Sequence, residues 1–344
     1  MQVGREGNRQ RFLDAVHHRF TGEVPAWEPD VAEEVVDAIM GRPMGSKSLN
    51  LPAPDYVEFL KRVGFDVGYL FEGWFLGRKN KYDEKGRPQY IDGTIKSRKD
   101  FEQIKPPSLD IIRRRIEGFL DAVEGTHIGC IVALDVATTI ANTAIGPVDF
   151  LMKMLDDSDF VDEFIERVEA YTLPLAECAA SYPLDAILVT GPMGQKSGLM
   201  ISRELHERFI FPTVEKAVNI IKAKDIPTIL HSDGSNADIM DWILDTGFDV
   251  LNPIEPGAAN FDIYDLKETC GDRICLSGNI DVSGVLSFGT PDEVRADTLE
   301  HLRRLSPGGG YVCSSSHDIS QHVPVENFIA MNETIRSFNA KTDT

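Results

Sequence analysis

Short apolar runs that end on a polar group, separated by stretches of helical spacing, recur along the chain and constrain its fold more than any other feature. The clearest is Thr228-Ile-Leu-His-Ser-Asp-Gly234, where an apolar run meets a histidine, a serine and an aspartate before a glycine turns the chain. A run of this kind bounded by turn residues reads as a buried strand. His231 and Asp233 stand two apart, so an extended backbone sends both to one side. Comparable runs occupy 24–28, 66–72, 128–136, 186–190, 250–255, 274–277 and 311–313. Helical patterns cover 9–20, 31–40, 55–63, 156–180, 203–223, 237–245, 261–269, 291–305 and 325–338, with a break predicted near Pro174 and a bend at Pro212.

Alternation of this sort implies a parallel sheet covered by helices, and eight candidate strands imply a closed (β/α)8 TIM barrel of the α/β class. A doubly wound open sheet is the weaker alternative, because no Gly-x-Gly-x-x-Gly follows the first strand. Residues 9–20 read as an N-terminal helical extension capping one end of the barrel. The pattern breaks over 78–107, where the polar turn Asp83-Glu84-Lys85-Gly86-Arg87 between strand-like pieces predicts a β-hairpin insertion that could wall the barrel mouth. Residues 1–344 are therefore read as a single barrel domain, a length that α/β barrels reach undivided.

An apolar fraction of 42% suffices for a sizeable core. Acidic residues outnumber basic ones 55 to 35, and the net charge of −20 argues against binding nucleic acid or an anionic membrane. Five cysteines without regular spacing do not make a disulfide framework. No run of about 18 apolar residues is present to span a bilayer, and the polar Met1–Arg11 stretch has no signal-peptide core. The expectation is a soluble, cytoplasmic protein.

In a barrel the strand exits meet at one face, which brings His231 and Asp233 towards His317, beyond the last strand. Imidazole and carboxylate suit zinc, and three protein ligands with one open position make a catalytic site. Direct binding of a polar substrate, or a structural hydrogen bond for either histidine, are the alternatives. Glu28, Glu72, Asp135, Glu255 and Asp281 occupy the other exits, as metal ligands, general bases or acceptors for substrate. Glu255 stands out because Pro253 and Pro256 fix the backbone on both sides of it; Glu28 follows, between Trp27 and a proline. Cys130 and Cys275 lie inside apolar runs and read as buried small hydrophobes.

Several segments resemble the uroporphyrinogen decarboxylase superfamily, which includes cobalamin-dependent methyltransferases. They are Arg11-Phe12 through Val24-Pro25, Gly198-Leu-Met-Ile-Ser202, His231-Ser-Asp-Gly234, Gly247-Phe-Asp-Val-Leu-Asn-Pro253, Gly278-Asn-Ile-Asp281, Gly308-Gly-Gly-Tyr311, His317-Asp-Ile319 and Pro324-Val-Glu-Asn327. The resemblance covers nearly the whole chain and implies the same barrel. The porphyrinogen-specific branch carries an arginine-rich segment after the first strand, where this chain has the acidic Glu28-Pro-Asp-Val-Ala-Glu-Glu34. The methyltransferase branch binds zinc through His-x-Cys and a distant Cys. His231 matches its histidine, Asp233 falls at the first cysteine and His317 lies near the second. Where many relatives carry two aspartates, this chain has Pro192-Met193.

The resemblance thus implies a zinc-dependent methyltransferase moving a methyl group from a small methoxylated or methylated substrate to the cobalamin of a partner corrinoid protein. Metal ligands would be His231, Asp233 and His317, with Glu28 or Glu255 as a fourth. Glu255 and Asp281 are the catalytic candidates, and Trp27, Glu72, Met193 and Asn252 are the substrate-binding ones. A thiolate-free zinc is the harder Lewis acid and suits an oxygen atom, hence O-demethylation. A homodimer is compatible with the family. The alternatives are a metal-free decarboxylase-like lyase on a small carboxylic acid and a non-catalytic barrel binding protein.

Overall fold

The protein is described here by a computed structural model over residues 6–84, 88–192 and 194–340. In chain order its strands are β1 (Val67–Glu72), β2 (Arg78–Tyr82), β3 (Pro88–Gly93), β4 (Gly129–Leu134), β5 (Ala186–Thr190), β6 (Gly194–Gln195), β7 (Gly198–Leu199), β8 (Thr228–His231), β9 (Val250–Ile254), β10 (Cys275–Ile280) and β11 (Tyr311–Ser315). Seven of them pair in parallel in the order β1-β4-β5-β8-β9-β10-β11, while β2-β3 and β6-β7 are small antiparallel hairpins. Helices between successive parallel strands cover the outside of a TIM-barrel-like α/β fold.

The eighth position is filled by residues 24–28, which lie between the two ends of this sheet without becoming a strand. Cys313 N–H donates to the Pro25 carbonyl at 2.9 Å and Asp66 N–H to the Ala26 carbonyl at 3.0 Å. Only the isolated parallel bridge Ala26–Cys313 results. Two donors are missing: Pro25 has no N–H to give, and the Ala26 N–H is taken at 2.8 Å by the Asp66 carboxylate. That carboxylate also accepts from Asn8 N–H at 2.7 Å and from Arg11, and so ties the N-terminal helix Arg9–Val16 to the barrel. Burial pushes Asp66 up to about 6, against the opposing pull of Arg11.

Alternate strand residues face the barrel axis. Val67, Tyr69, Ile131, Ala133, Ala186, Leu188, Ile229, Val250, Cys275 and Val312 form one apolar cluster, plugged below by Phe12, Ala15 and Val16. Their neighbours of opposite parity, such as Val132, Ile187, Leu230, Leu251 and Leu276, pack under the helices in the larger cluster. One step further along the inner face the residues turn polar: Thr190, His231 and Asn252 stand in register, followed by Ser277 and Ser314. The floor of the mouth is where apolar packing stops.

Two of the substrate-contact expectations change on this frame. Trp27 is 1% exposed, belongs to the inner apolar cluster and donates its Nε1–H to Ser277 Oγ at 3.1 Å, so it is a core residue. Glu72 shares the outward parity of Leu70 and pairs with Arg115 at 3.1 Å, on the helix Leu109–Val123, instead of entering the mouth.

Helix Ser158–Ala179 runs unbroken through Pro174. A long helix buried along one side retains its packing while it loses a single N–H donor. Near Pro212, where a bend was expected, a π turn, His206–Ile210, precedes the helix Phe211–Lys222, and the proline sits in that helix's first turn, where its missing N–H is tolerated. Helices Ala137–Ile145 and Pro147–Asp156 fall where no helix was predicted. The predicted hairpin is β2-β3, although the turn residues 85–87 lie outside the described residues. It docks on the first of these two helices, with Tyr90 Oη donating to the Thr143 carbonyl at 3.0 Å.

Candidate metal centre at the barrel mouth

His231 ends β8, and its ring continues the inner face begun by Ile229. The imidazole is oriented from below. Ser277 Oγ accepts from Trp27 Nε1–H at 3.1 Å and from Asn252 Nδ2–H at 3.0 Å, leaving its own proton for Ser314 Oγ at 3.2 Å. Asn252 therefore turns its Oδ1 to His231 Nδ1 at 3.2 Å, and that nitrogen carries the proton. The Nε2 lone pair is left facing the mouth. Asn252 was expected to touch substrate; at 1% exposure it is instead placed to hold the histidine.

Asp233 follows on the turn after β8. Gly234 adopts φ +70°, and a Cβ there would lie 2.4 Å from the Gln195 backbone, so only glycine lets the β6-β7 hairpin sit on this turn. Ser235 N–H donates to the Gln195 carbonyl at 3.0 Å and fastens it. Asp233 Oδ1 stands 3.7 Å from His231 Nε2 and 3.9 Å from His317 Nε2, buried and without a hydrogen-bond partner although the rest of the side chain is half-exposed. One donor atom from each of the three residues lies within 4.8 Å of the others. Ligands of a tetrahedral zinc, about 2.0–2.2 Å from the ion, stand roughly 3.4 Å apart. The gap between the present spacing and that geometry is within side-chain adjustment.

His317 is the least prepared of the three. Its Nδ1 accepts the Asp318 N–H at 2.8 Å, which leaves the proton of the neutral ring on Nε2. To hold a cation through Nε2 the ring would need its proton on Nδ1 instead, where Asp318 Oδ2, 3.8 Å away, is the carboxylate at hand. Burial, opposed by His317, raises the Asp318 carboxyl.

Glu28 lies outside the three-residue group. Both its oxygens face Ser315, at 2.8 Å from the backbone N–H and 2.5 Å from Oγ. The Ser315 hydroxyl also reaches the His317 carbonyl. One hydroxyl proton cannot serve two acceptors, so a neutral Glu28 that donates to Ser315 Oγ satisfies the whole chain. Burial agrees, pushing Glu28 up to about 8 against the Ser315 hydrogen bonds. Its visible role is to hold the loop that carries His317.

Two cavities flank the group. One, about 650 Å³, is lined by Lys196, Glu255, Asp281, Ser316, His317 and Asp318 among others, so both expected catalytic carboxylates face it. Burial raises the Glu255 carboxyl, Asp233 adds to that, and Lys196 opposes it. The other, about 350 Å³, lies against His231 and Asp233 and is walled by Thr138, Thr139, Asn142 and Thr190. Thr138, Thr139 and Asn142, on helix Ala137–Ile145, went unnoticed in the sequence, where their only local signal was their position just after a strand exit. Asp135, behind Thr190, is pushed up to about 6 by burial, against Arg78. Met193 lies outside the described residues. All five cysteines are free and buried, and none joins the group.

Known proteins bear on this geometry. The family model described as uroporphyrinogen decarboxylase (URO-D) matches residues 60–338. A uroporphyrinogen decarboxylase of Chlorobium luteolum is 30% identical over 146 residues, 41% of this chain. That match spans 40% of the relative's own length. Two Methanosarcina mazei relatives match more of the chain. Methylcobamide:CoM methyltransferase MtbA is 25% identical over 70% of both chains. A methylated-thiol–coenzyme M methyltransferase is 22% identical over 78% of this chain and 70% of its own. The solved structure of a methyltransferase from Methanosarcina mazei superposes with a TM-score of 0.73 at 19% identity, covering 97% of this chain and 99% of that one, which establishes the shared fold. Because the family match runs from ahead of β1 to the final helix and takes in both histidines of the mouth, the chain belongs to the uroporphyrinogen decarboxylase family.

Proposed function

We propose that this protein is a metal-dependent methyltransferase that takes a methyl group from a small methylated or methoxylated compound. The observation that carries the reading is the buried, unpartnered Asp233 Oδ1 set between two imidazoles. An uncompensated acceptor in that position costs free energy unless a cation completes it. His231, Asp233 and His317 would hold zinc, for which a nitrogen and oxygen donor set is suitable. When bound, the ion supplies Lewis acidity to the heteroatom that bears the methyl group.

The chain's own residues do the rest. Asn252 fixes His231 with Nε2 outward, and Glu28 with Ser315 holds the His317 loop. Glu255, its carboxyl raised, is the proton donor for the heteroatom left behind, with Asp281 beside it on the same cavity wall. One Methanosarcina mazei relative is named as acting on a methylcobamide, which supports a cobamide as reaction partner; in this reading the partner is the cobalamin of a corrinoid protein, and it is the acceptor. That partner would dock over the open mouth. No helix among the described residues is long and apolar enough to cross a membrane, and the free thiols suit the proposed cytoplasmic setting. A decarboxylase acting on a carboxylic acid needs cations to grip it. Among the described residues lining the two cavities there is no arginine and one lysine.

The test is methylcobalamin formation, followed by absorbance, from cob(I)alamin and a panel of methoxylated compounds with zinc-loaded protein. Turnover is expected in the wild type and a loss of at least about a hundredfold in His231→Ala. Unchanged turnover in that variant would refute the reading.

A further inference from the structure

We propose that His301, on the outer helix Pro291–Leu305, is held as a doubly protonated imidazolium and positions, from behind the barrel wall, the two strand exits that carry Glu255 and Asp281. The methyl-transfer reading supplies only what those two carboxylates do; the charge on the ring and the tether it makes stand on geometry. By strand parity Asn279 would face the barrel axis with Ser277. The register against β9 shifts between Leu276 and Gly278, and Gly278 and Asn279 take positive φ of 106° and 81°. That irregularity turns the Asn279 side chain out to the helix layer, where it meets His301.

Asn279 Nδ2–H donates to the Ile254 carbonyl at 3.1 Å, so its Oδ1 is the atom 2.9 Å from His301 Nε2. The reverse orientation of the amide would set two oxygen acceptors face to face. His301 Nδ1 lies 2.9 Å from the Asp297 carbonyl, a second acceptor. Either neutral tautomer has one N–H and leaves a ring lone pair against an oxygen at its other end. Only the ring with both protons satisfies both contacts. The surroundings supply the counter-charge. Asp297 Oδ2, buried and without a hydrogen-bond partner, is 3.6 Å from Nδ1. Burial raises the Asp297 carboxyl, His301 opposes that, and Glu300 and Asp281 add to it, so negative charge prevails around the ring. Arg304, the cation beside Tyr264, is matched by Glu300 at 3.3 Å. The Tyr264 ring, 5.5 Å from His301, is neutral, its phenol pushed up to about 12 by burial. Burial likewise raises Tyr311 and Cys313 of β11, which also neighbour Asp297. One tether thus spans two strands, from His301 to Asn279 on β10 and on to Ile254 on β9. Glu255 follows Ile254 directly and Asp281 lies two residues beyond Asn279, and both face the cavity of about 650 Å³.

Nitrogen-15 NMR of the full chain labelled in histidine tests the charge, at about pH 7.5, a unit above the ordinary histidine value. One ring is expected to show both nitrogens protonated and to vanish in His301→Leu. Asp297→Asn, which keeps the ring but removes its carboxylate, should return it to a neutral tautomer at the same pH. A neutral His301 in the wild type would overturn the proposal. Amide hydrogen exchange tests the tether. Exchange over 252–256 and 278–284 should quicken at least roughly tenfold in His301→Leu while 186–190, across the barrel, is unchanged. Equal exchange in variant and wild type would also overturn the proposal. In the methylcobalamin assay the same variant should lose roughly tenfold in kcat with little change in KM, and an unchanged kcat would contradict the positioning role. A wild type that turns over no donor would refute the methyl-transfer reading, and the NMR and exchange results would still decide this proposal.

Discussion

Asn252 illustrates how much of the site depends on residues that no ligand touches. Its amide links the His231 ring to a hydroxyl ladder through Ser277, and this fixes which imidazole nitrogen faces the mouth. Replacing it by leucine removes the acceptor for Nδ1–H and frees the ring to rotate or change tautomer. Zinc affinity of Asn252→Leu, measured by chelator competition, should fall about 10- to 100-fold with the fold retained. Glu28 makes a second prediction at this scale. Burial pushes its carboxyl up to about 8 in the folded protein from the ordinary value of 4.5. Between those values the folded state holds a proton that the unfolded state has released, so stability declines as pH rises through that window. Glu28→Gln keeps a neutral donor towards Ser315 and removes this slope. The melting temperature of the variant should therefore vary less with pH from about 4.5 to 8 than that of the wild type. An equal slope in both would show that Glu28 is ionised.

At the scale of elements, the turn after β8 and the β6-β7 hairpin act as one unit. Gly234→Ala puts a methyl into the Gln195 backbone at a left-handed residue. It should cost at least about 1 kcal/mol in denaturant unfolding. Metal binding should weaken with it, because Asp233 rides on the same turn. The strand that delivers His231 was legible beforehand because a run of four residues with inward parity every second position admits one reading. Segment 24–28 was legible as an extended piece, but not as a single bridge. That outcome depends on Asp66 capturing the Ala26 N–H, a contact between residues distant in the chain. The helix carrying Thr138, Thr139 and Asn142 was not legible, since its threonines, isoleucines and asparagine are weak helix formers that offset its alanines, and burial on most sides leaves no clear polar face. Glu72 was misread through parity, since a shift of one residue decides between the mouth and the outer layer, and Trp27 through depth, since it faces inward but lies beneath the floor of the mouth.

For the molecule as a whole, the barrel converts a sequence pattern into a site. The exits of β8 and of β11, far apart in the chain, place two imidazole rings 6.1 Å apart with a carboxylate between them. The five cysteines are spread through buried positions and stay out of this group, so the chain uses an all-imidazole and carboxylate mouth in a family fold. The central claim is that His231, Asp233 and His317 together hold one metal ion. X-ray absorption at the zinc edge on the zinc-loaded protein, compared with His317→Ala, tests it most directly. The account predicts a shell of nitrogen and oxygen at about 2.0–2.2 Å, a two-imidazole signature that drops to one in the variant, and no sulfur. A sulfur shell, or an unchanged spectrum in His317→Ala, would contradict it.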